Sequence, residues 1–384
     1  MKRIILPLLF VAIAVSVVGV GGFVAVKFVW EWATTPISYD DMVKLQDNPE
    51  KAAAEIPRIV ACFDRKDEEL RAQAAETLGK IGPKAVDPVR KKLKSGNPEV
   101  RFWALLTLAL IGPDAAAASD DVLACLDDDD AAVRRKAVYA LGKLGVKSDA
   151  VLGGLVKALG DKDTDVTTTA IEVLEKIGPP PAESLPMLAK LADKDSAPAV
   201  RTLAIKLLGQ MGGPAVPTFK ELLKNADTLD RIALIQAIAT LGKEAAPLLS
   251  ELQEIMIKNR FWDAQEDLVG TFKKCGAKGA KGLANVLKTL HDPKSPSFAP
   301  DDERSRILLK AIGEMGAEAK STVRLLTELL QERDSLRPQI LDALGGIGPA
   351  ASAAIPAVQA LVNDAALAEA ARTALRRMGV IDKK

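Results

Sequence analysis

The sequence predicts an all-α chain: a right-handed α-solenoid (superhelix) of about ten antiparallel helical pairs, preceded by one N-terminal transmembrane or signal helix. Three observations carry this. A glycine closes the same kind of segment ten times, at Gly82, Gly112, Gly145, Gly178, Gly212, Gly242, Gly276, Gly316, Gly348 and Gly379, with spacings of 30 to 40 residues. Self-similarity at such a period marks a stacked array rather than a closed globule. Hydrophobic residues make up 48% of the chain but aromatics only 4%, so Ala, Leu, Val and Ile build the core and leave little room for large rings. The third observation is an uncharged run near the amino terminus.

Lys2 and Arg3 precede residues 4–26, none of them charged. As a helix that run would extend about 34 Å, against a hydrocarbon core of about 30 Å. Lys27 and the two indoles Trp30 and Trp32, flanking Glu31, mark the far edge, where ring and N–H meet different surroundings. A cleaved signal peptide is the competing reading. The run is longer than the usual h-region of about 7–15 residues, and no clear A-x-A site follows. Pro7, Gly21 and Gly22 weaken the helix without excluding it. Lys2 and Arg3 outweigh Lys27 and favour a cytoplasmic amino terminus. The expectation is a single-pass protein of the cytoplasmic membrane with an extracytoplasmic repeat region, secreted or periplasmic if the segment is cleaved. The domains are then 1–32, anchor or signal segment; 33–49, linker and capping helix, the helix over 39–46; and 50–384, the solenoid.

The unit closing at Gly145 shows how one repeat works. Val122, Leu123 and Leu126 form a short helical stripe, and an acidic run, Asp127 to Asp130, follows. Asp accepts from exposed backbone N–H groups and so caps a helix start. The second helix carries Val133, Ala137, Leu141 and Leu144 on one face and stops at Gly145, which can take the left-handed conformation of a helix end. Proline reinforces the stop at Pro83, Pro113, Pro179 and Pro349. Gly79, Gly142, Gly209 and Gly345 stand three residues earlier. Each costs about 1 kcal/mol relative to Ala, so their recurrence predicts close approach between neighbouring helices. Ala74, Ala104, Ala137, Ala170 and Ala204, eight residues before the stop, serve the same need.

Arginine recurs eleven residues before the stop, at Arg71, Arg101, Arg134, Arg201, Arg231 and Arg337. The helix dipole disfavours a cation there, so each requires a compensating partner. Asp130, Asp195 and Asp230 in the interhelical turns are the candidates for an acid–arginine ladder between units.

With its L-x-x-L first helix, D-x-D-like turn and V-R-x-x-A-x-x-x-L-G-x-x-G second helix, clearest from Val133 and Arg134 to Gly145 and from Val200 and Arg201 to Gly212, the unit resembles the HEAT repeat. The nearer likeness is to the short repeats of phycobilisome-lyase-type HEAT proteins. It covers about residues 50 to 379 and weakens at Thr167, Gln265, Ser305 and Ala368, where arginine is missing. The resemblance implies first helices on a convex side, second helices on a concave side, and binding or scaffolding more often than catalysis.

Catalytic chemistry finds little footing. The 52 basic and 51 acidic residues nearly cancel, which argues against a nucleic-acid partner. The single histidine, His291, is expected in a loop, and the repeated His–Glu pairs of HEAT-type hydroxylases are missing. Cys62, Cys125 and Cys275 are far apart and read as small buried hydrophobes. Asp127 to Asp130 read as helix caps rather than a calcium loop, which would alternate its ligands around a glycine. Neither a phosphate loop nor a small-molecule substrate is evident, and no cofactor or metal is called for.

Two departures from the repeat point to a partner. The turn of the 277–316 unit is stretched through His291, Pro293, Pro296, Phe298 and Pro300, and Phe298 is a candidate contact. Aromatics crowd at Phe102 and Trp103, and again at Phe261 and Trp262. With Val100, Ala104, Leu108 and Ile111 in the core, Phe102, Trp103, Leu106 and Leu110 lie off that face. Arg135, Lys136, Tyr139 and Lys143 follow on the next second helix. The expected function is a membrane-anchored HEAT-repeat scaffold that binds a protein partner through its concave helical surface, at these residues. The alternatives are a phycobilin-lyase-like enzyme or accessory acting on a carrier protein, and a purely structural envelope protein.

Overall fold

The computed structural model describes residues 37–45, 48–225, 228–258, 264–294 and 302–380. The predicted anchor, Phe261, Trp262 and Phe298 lie outside these residues. Among the described residues every regular element is helical, and none is a strand. The chain divides into two compact units, Met1–Met187 and Leu188–Lys384.

In the first unit, Tyr39–Leu45 and Pro49–Ala54 pack on the first long helix, Glu68–Ile81. Four second helices of 14 residues each follow at regular intervals: Glu68–Ile81, Pro98–Ile111, Ala131–Leu144 and Thr164–Ile177. Each stacks on the next. Their first-helix partners are Ile56–Ala61, Val86–Lys92, Ser119–Ala124 and Asp149–Ala158. In the second unit the stack of second helices runs Pro198–Gln210, Thr228–Thr240, Gln265–Lys274, Asp302–Glu314, Arg337–Ile347 and Ala368–Arg377. That makes ten second helices among the described residues.

Local chemistry sets the boundaries. Asp67, Asn97, Asp130 and Asp163 each accept from a backbone N–H of the helix they open, at 2.9–3.2 Å. At the other end all ten predicted glycines have positive φ, between 56° and 119°, where a side chain would be strained. The residue after the stop does more than end a helix. Gly82–Ala85, Gly112–Ala118, Gly316–Thr322 and Gly348–Ala354 are 3-10 turns that lead into the next first helix. In three of them proline stands second, at Pro83, Pro113 and Pro349, where it has no N–H to leave unpaired.

Stacking is close because small residues line it. Ala74, Ala104, Ala137, Ala170 and Ala204 are fully buried. At Gly142 a methyl group would stand 2.8 Å from Val173 Cγ2 on the following helix.

The arginine ladder is present at Arg71, Arg101, Arg134 and Arg201, in a register that resolves the dipole problem, whereas Arg337 pairs with Asp334 of its own turn at 2.8 Å. Arg101 donates to both carboxylate oxygens of Asp128 at 2.7 Å. Arg134 does the same to Asp161 at 2.8 and 2.9 Å. Arg201 reaches Asp230 at 2.6 Å, and Arg71 reaches Glu99 at 2.6 Å. Each also donates backward to a turn carbonyl of its own unit: Arg71 to Phe63, Arg101 to Ser95, Arg134 to Asp128 and Asp129, Arg201 to Lys194 and Ser196. The guanidinium fork thus holds its own turn and the next unit's acid together. Asp230 serves as expected. Asp130 does not: its carboxylate caps the Ala131–Leu144 helix, and Asp128, two residues earlier, takes the arginine. Asp195 is exposed. Where arginine is replaced by Thr167, its hydroxyl donates to Asp161 O and Asp163 O, so the turn is still held.

Candidate functional site

Counted back from each closing glycine, the second helices keep one register. Positions twelve, eight and four before it face the core, as Val133, Ala137 and Leu141 do, all buried. Positions ten, six and two lie on the opposite flank. On Glu68–Ile81 they hold Ala72, Glu76 and Lys80, and on Thr164–Ile177 they hold Thr168, Glu172 and Lys176. On Pro98–Ile111 they hold Phe102, Leu106 and Leu110. An apolar set thus replaces a mostly polar one on a flank that need not be apolar for the stack to form. Leu110 is 47% exposed and Tyr139, at the equivalent of Leu106 on the next helix, is 36% exposed.

The rings and cations interlock. Phe102 and Trp103 meet edge to face, centroids 5.5 Å apart at 84°. Lys136 places its ammonium 4.8 Å from the Phe102 ring and 5.0 Å from the Tyr139 ring, spanning two helices. Lys143 lies 5.4 Å from the Tyr139 ring. Such contacts contribute about 0.5–1 kcal/mol each where exposed. Burial, and then the charge of Arg135, hold the Lys136 ammonium below the usual lysine range. Among the described residues neither Lys136 nor Lys143 meets a carboxylate; their contacts are with the rings.

Of the predicted contact residues, the structure brings together Phe102, Trp103, Lys136, Tyr139 and Lys143, with Leu106 on the same flank. Arg135, on the same flank, pairs with Asp165 of the next unit at 3.1 Å. Leu110 belongs to the stripe, four residues beyond Leu106. The position of Lys136 between two rings needed the stacking distance and had no signature in the sequence.

Elsewhere the polar groups serve the fold. His291 is not a loop residue. It ends the Gly276–His291 helix, is buried, and its Nε2 lies 2.8 Å from Ser305 Oγ. Its carbonyl accepts from Arg333 at 3.0 Å. Burial and then Arg333 hold its pKa below the ordinary histidine value. The four aspartates divide the work of one turn. Asp127 pairs with Lys157, Asp128 takes Arg101, the Asp129 carbonyl accepts from Arg134, and Asp130 caps the helix. Cys62 and Cys125 are buried, and desolvation pushes each thiol up to about 11. Cys275 is half-buried.

Among known proteins, a model of HEAT repeats matches residues 56–142, 119–204 and 185–255, overlapping stretches that together span more than half the chain. The "Uncharacterized phycocyanin operon protein Z" of Pseudanabaena tenuis is 28% identical over 165 residues, 41% of this chain and 79% of the relative. Similar solved structures include an engineered protein, 19% identical, with a TM-score of 0.44 over 84% of this chain and 98% of that one. Kap121p bound to Pho4p is another, 16% identical, with a TM-score of 0.41 over 97% of this chain and 53% of that one. The recurring V-R-x-x-A-x-x-x-L-G-x-x-G helices and the matched stretch agree: the chain belongs to the HEAT-repeat family.

Proposed function

We propose that this chain is a membrane-anchored scaffold that binds a protein partner on the outer flank of the Pro98–Ile111 and Ala131–Leu144 helices. One observation carries the reading: an apolar stripe, Phe102, Leu106 and Leu110, stands where the neighbouring helices carry mostly charged residues, Glu76 and Lys80 on one and Arg135 and Lys143 on the other, and half-exposed aromatics and cations surround it. Clustered aromatic side chains beside cations are the composition of an interface hot spot. Crosslinking in intact cells, followed by identification of the bound protein, tests it. Replacing Trp103 and Tyr139 together with alanine should weaken capture at least tenfold while leaving helical content intact. Unchanged capture removes this surface. The uncharged run over residues 4–26 supports the anchor and an extracytoplasmic repeat region. Protease added to sealed cells should then cut the repeats, and full protection would reverse the orientation.

A second reading rests on the relative from a phycocyanin operon: an accessory acting on a phycobilin carrier protein. Co-purification with a coloured tetrapyrrole or its carrier would favour it over a general scaffold.

A further inference from the structure

The charges around the stripe choose between its possible occupants. Lys136 and Lys143 carry their ammonium groups against aromatic rings and meet no carboxylate among the described residues. Lys136 is already short of water, so an anion brought beside it replaces solvation that the fold has taken away. The chain's own residues 1–36 carry Lys2, Arg3 and Lys27 against a single Glu31, the wrong sign to answer these lysines. A second copy docked symmetrically on the stripe would bring two patches of the same positive sign together. Glu76 and Glu172 stand at the Leu106-equivalent position on the helices to either side, both exposed. They interrupt the positive strip on both sides before it resumes at Lys80 and Lys176, which disfavours an extended polyanion and suits one short peptide.

Resting on the reading that this flank docks a protein, we propose that its ligand is an amphipathic peptide segment. An aliphatic or aromatic side chain seats on Trp103, Leu106 and Leu110, and an Asp or Glu about one helical turn away reaches Lys136 or Lys143. The mode is an apolar helix face laid on an apolar stripe, with register set by the carboxylate.

Panning a displayed random-peptide library on the immobilised full-length chain tests this, with a Trp103→Ala/Leu110→Ala double variant as counter-selection. The expected peptides pair an apolar residue with Asp or Glu three or four positions away. Binding of one such synthetic peptide should fall about tenfold in Lys143→Glu and recover when its acid is replaced by lysine. The loss should shrink in high salt, where exposed charges are screened. Lys143→Gln should show a smaller loss in the same direction, and circular dichroism checks that each variant is folded. Peptides that distinguish wild type from the double variant but lack the acid overturn the inference and leave the docking surface standing. No enrichment over the double variant overturns both. Binding of phosphatidylserine vesicles that depends on Trp103 and Lys143, without peptide enrichment, assigns the surface to lipid and overturns the inference.

Discussion

Replacing Arg134 with alanine should destabilise the first unit by about 3 kcal/mol. Arg134 donates twice to Asp161, at 2.8 and 2.9 Å, and to the carbonyls of Asp128 and Asp129 at 2.9 and 3.1 Å. Only 6% of its side chain and 11% of that of Asp161 is exposed. Removing one partner of a buried pair costs about 3–5 kcal/mol, because the other charge is left uncompensated. The lower end applies because Asp161 keeps the backbone N–H of Asp163 at 2.8 Å. The neighbouring Arg135 is the internal control. Its pair with Asp165 is exposed at both ends, 42% and 71%, so Arg135→Ala should cost about 1 kcal/mol or less. Urea unfolding gives the stability change. Hydrogen exchange at the amides of residues 161–166 locates it, which matters because repeat arrays need not unfold in one step. The ladder also has a pH sign. Hydrogen bonds from Arg134 hold the Asp161 carboxyl below its usual 3.8. Its contribution is therefore complete above that value and lost as pH falls through the lower folded value. Equal losses for the two variants, or a loss below 1 kcal/mol for Arg134→Ala, would refute the ladder as a source of stability.

Two glycines inside helices should respond in opposite ways to alanine. Gly142→Ala drives a methyl group into Val173 and should cost about 1–3 kcal/mol. Gly270→Ala meets nothing within 4 Å and should add up to about 1 kcal/mol of helix stability, and thermal melts decide both signs. Burial, and then the charge of Arg333, lower the pKa of folded His291 from the 6.5 of the free side chain. Its contribution should be complete above 6.5 and diminish as pH falls toward the folded value. A His291→Gln variant should lose that part of the pH dependence in denaturant titrations. Cys62 and Cys125, buried with raised thiol pKa, should resist iodoacetamide in the native chain, with Cys275 modified first; mass spectrometry of quenched digests would show the order.

Repetition makes much of this molecule legible from its residues alone. A glycine that must take positive φ, an Asp or Asn that must cap, and an alanine that must be buried are local requirements. The glycine recurs ten times and the others return beside it in one register, which leaves little else for the chain to do, and the closing glycines and buried alanines fall where the pattern put them. The arginines announced a partner through the dipole they offend. Which acid answered was settled by stacking distance: Asp128 reaches Arg101 across units, while Asp130, two residues on, spends its carboxylate on its own helix. His291 was misplaced because a stretched turn looked like loop from its prolines, whereas Gly276–His291 runs on for 16 residues. The stripe of Phe102, Leu106 and Leu110 could be read from helical spacing. That Lys136 lies between Phe102 and Tyr139, and that Arg135 turns to Asp165, followed only from tertiary structure, because those contacts join residues about 30 positions apart whose separation is set by how closely two helices pack.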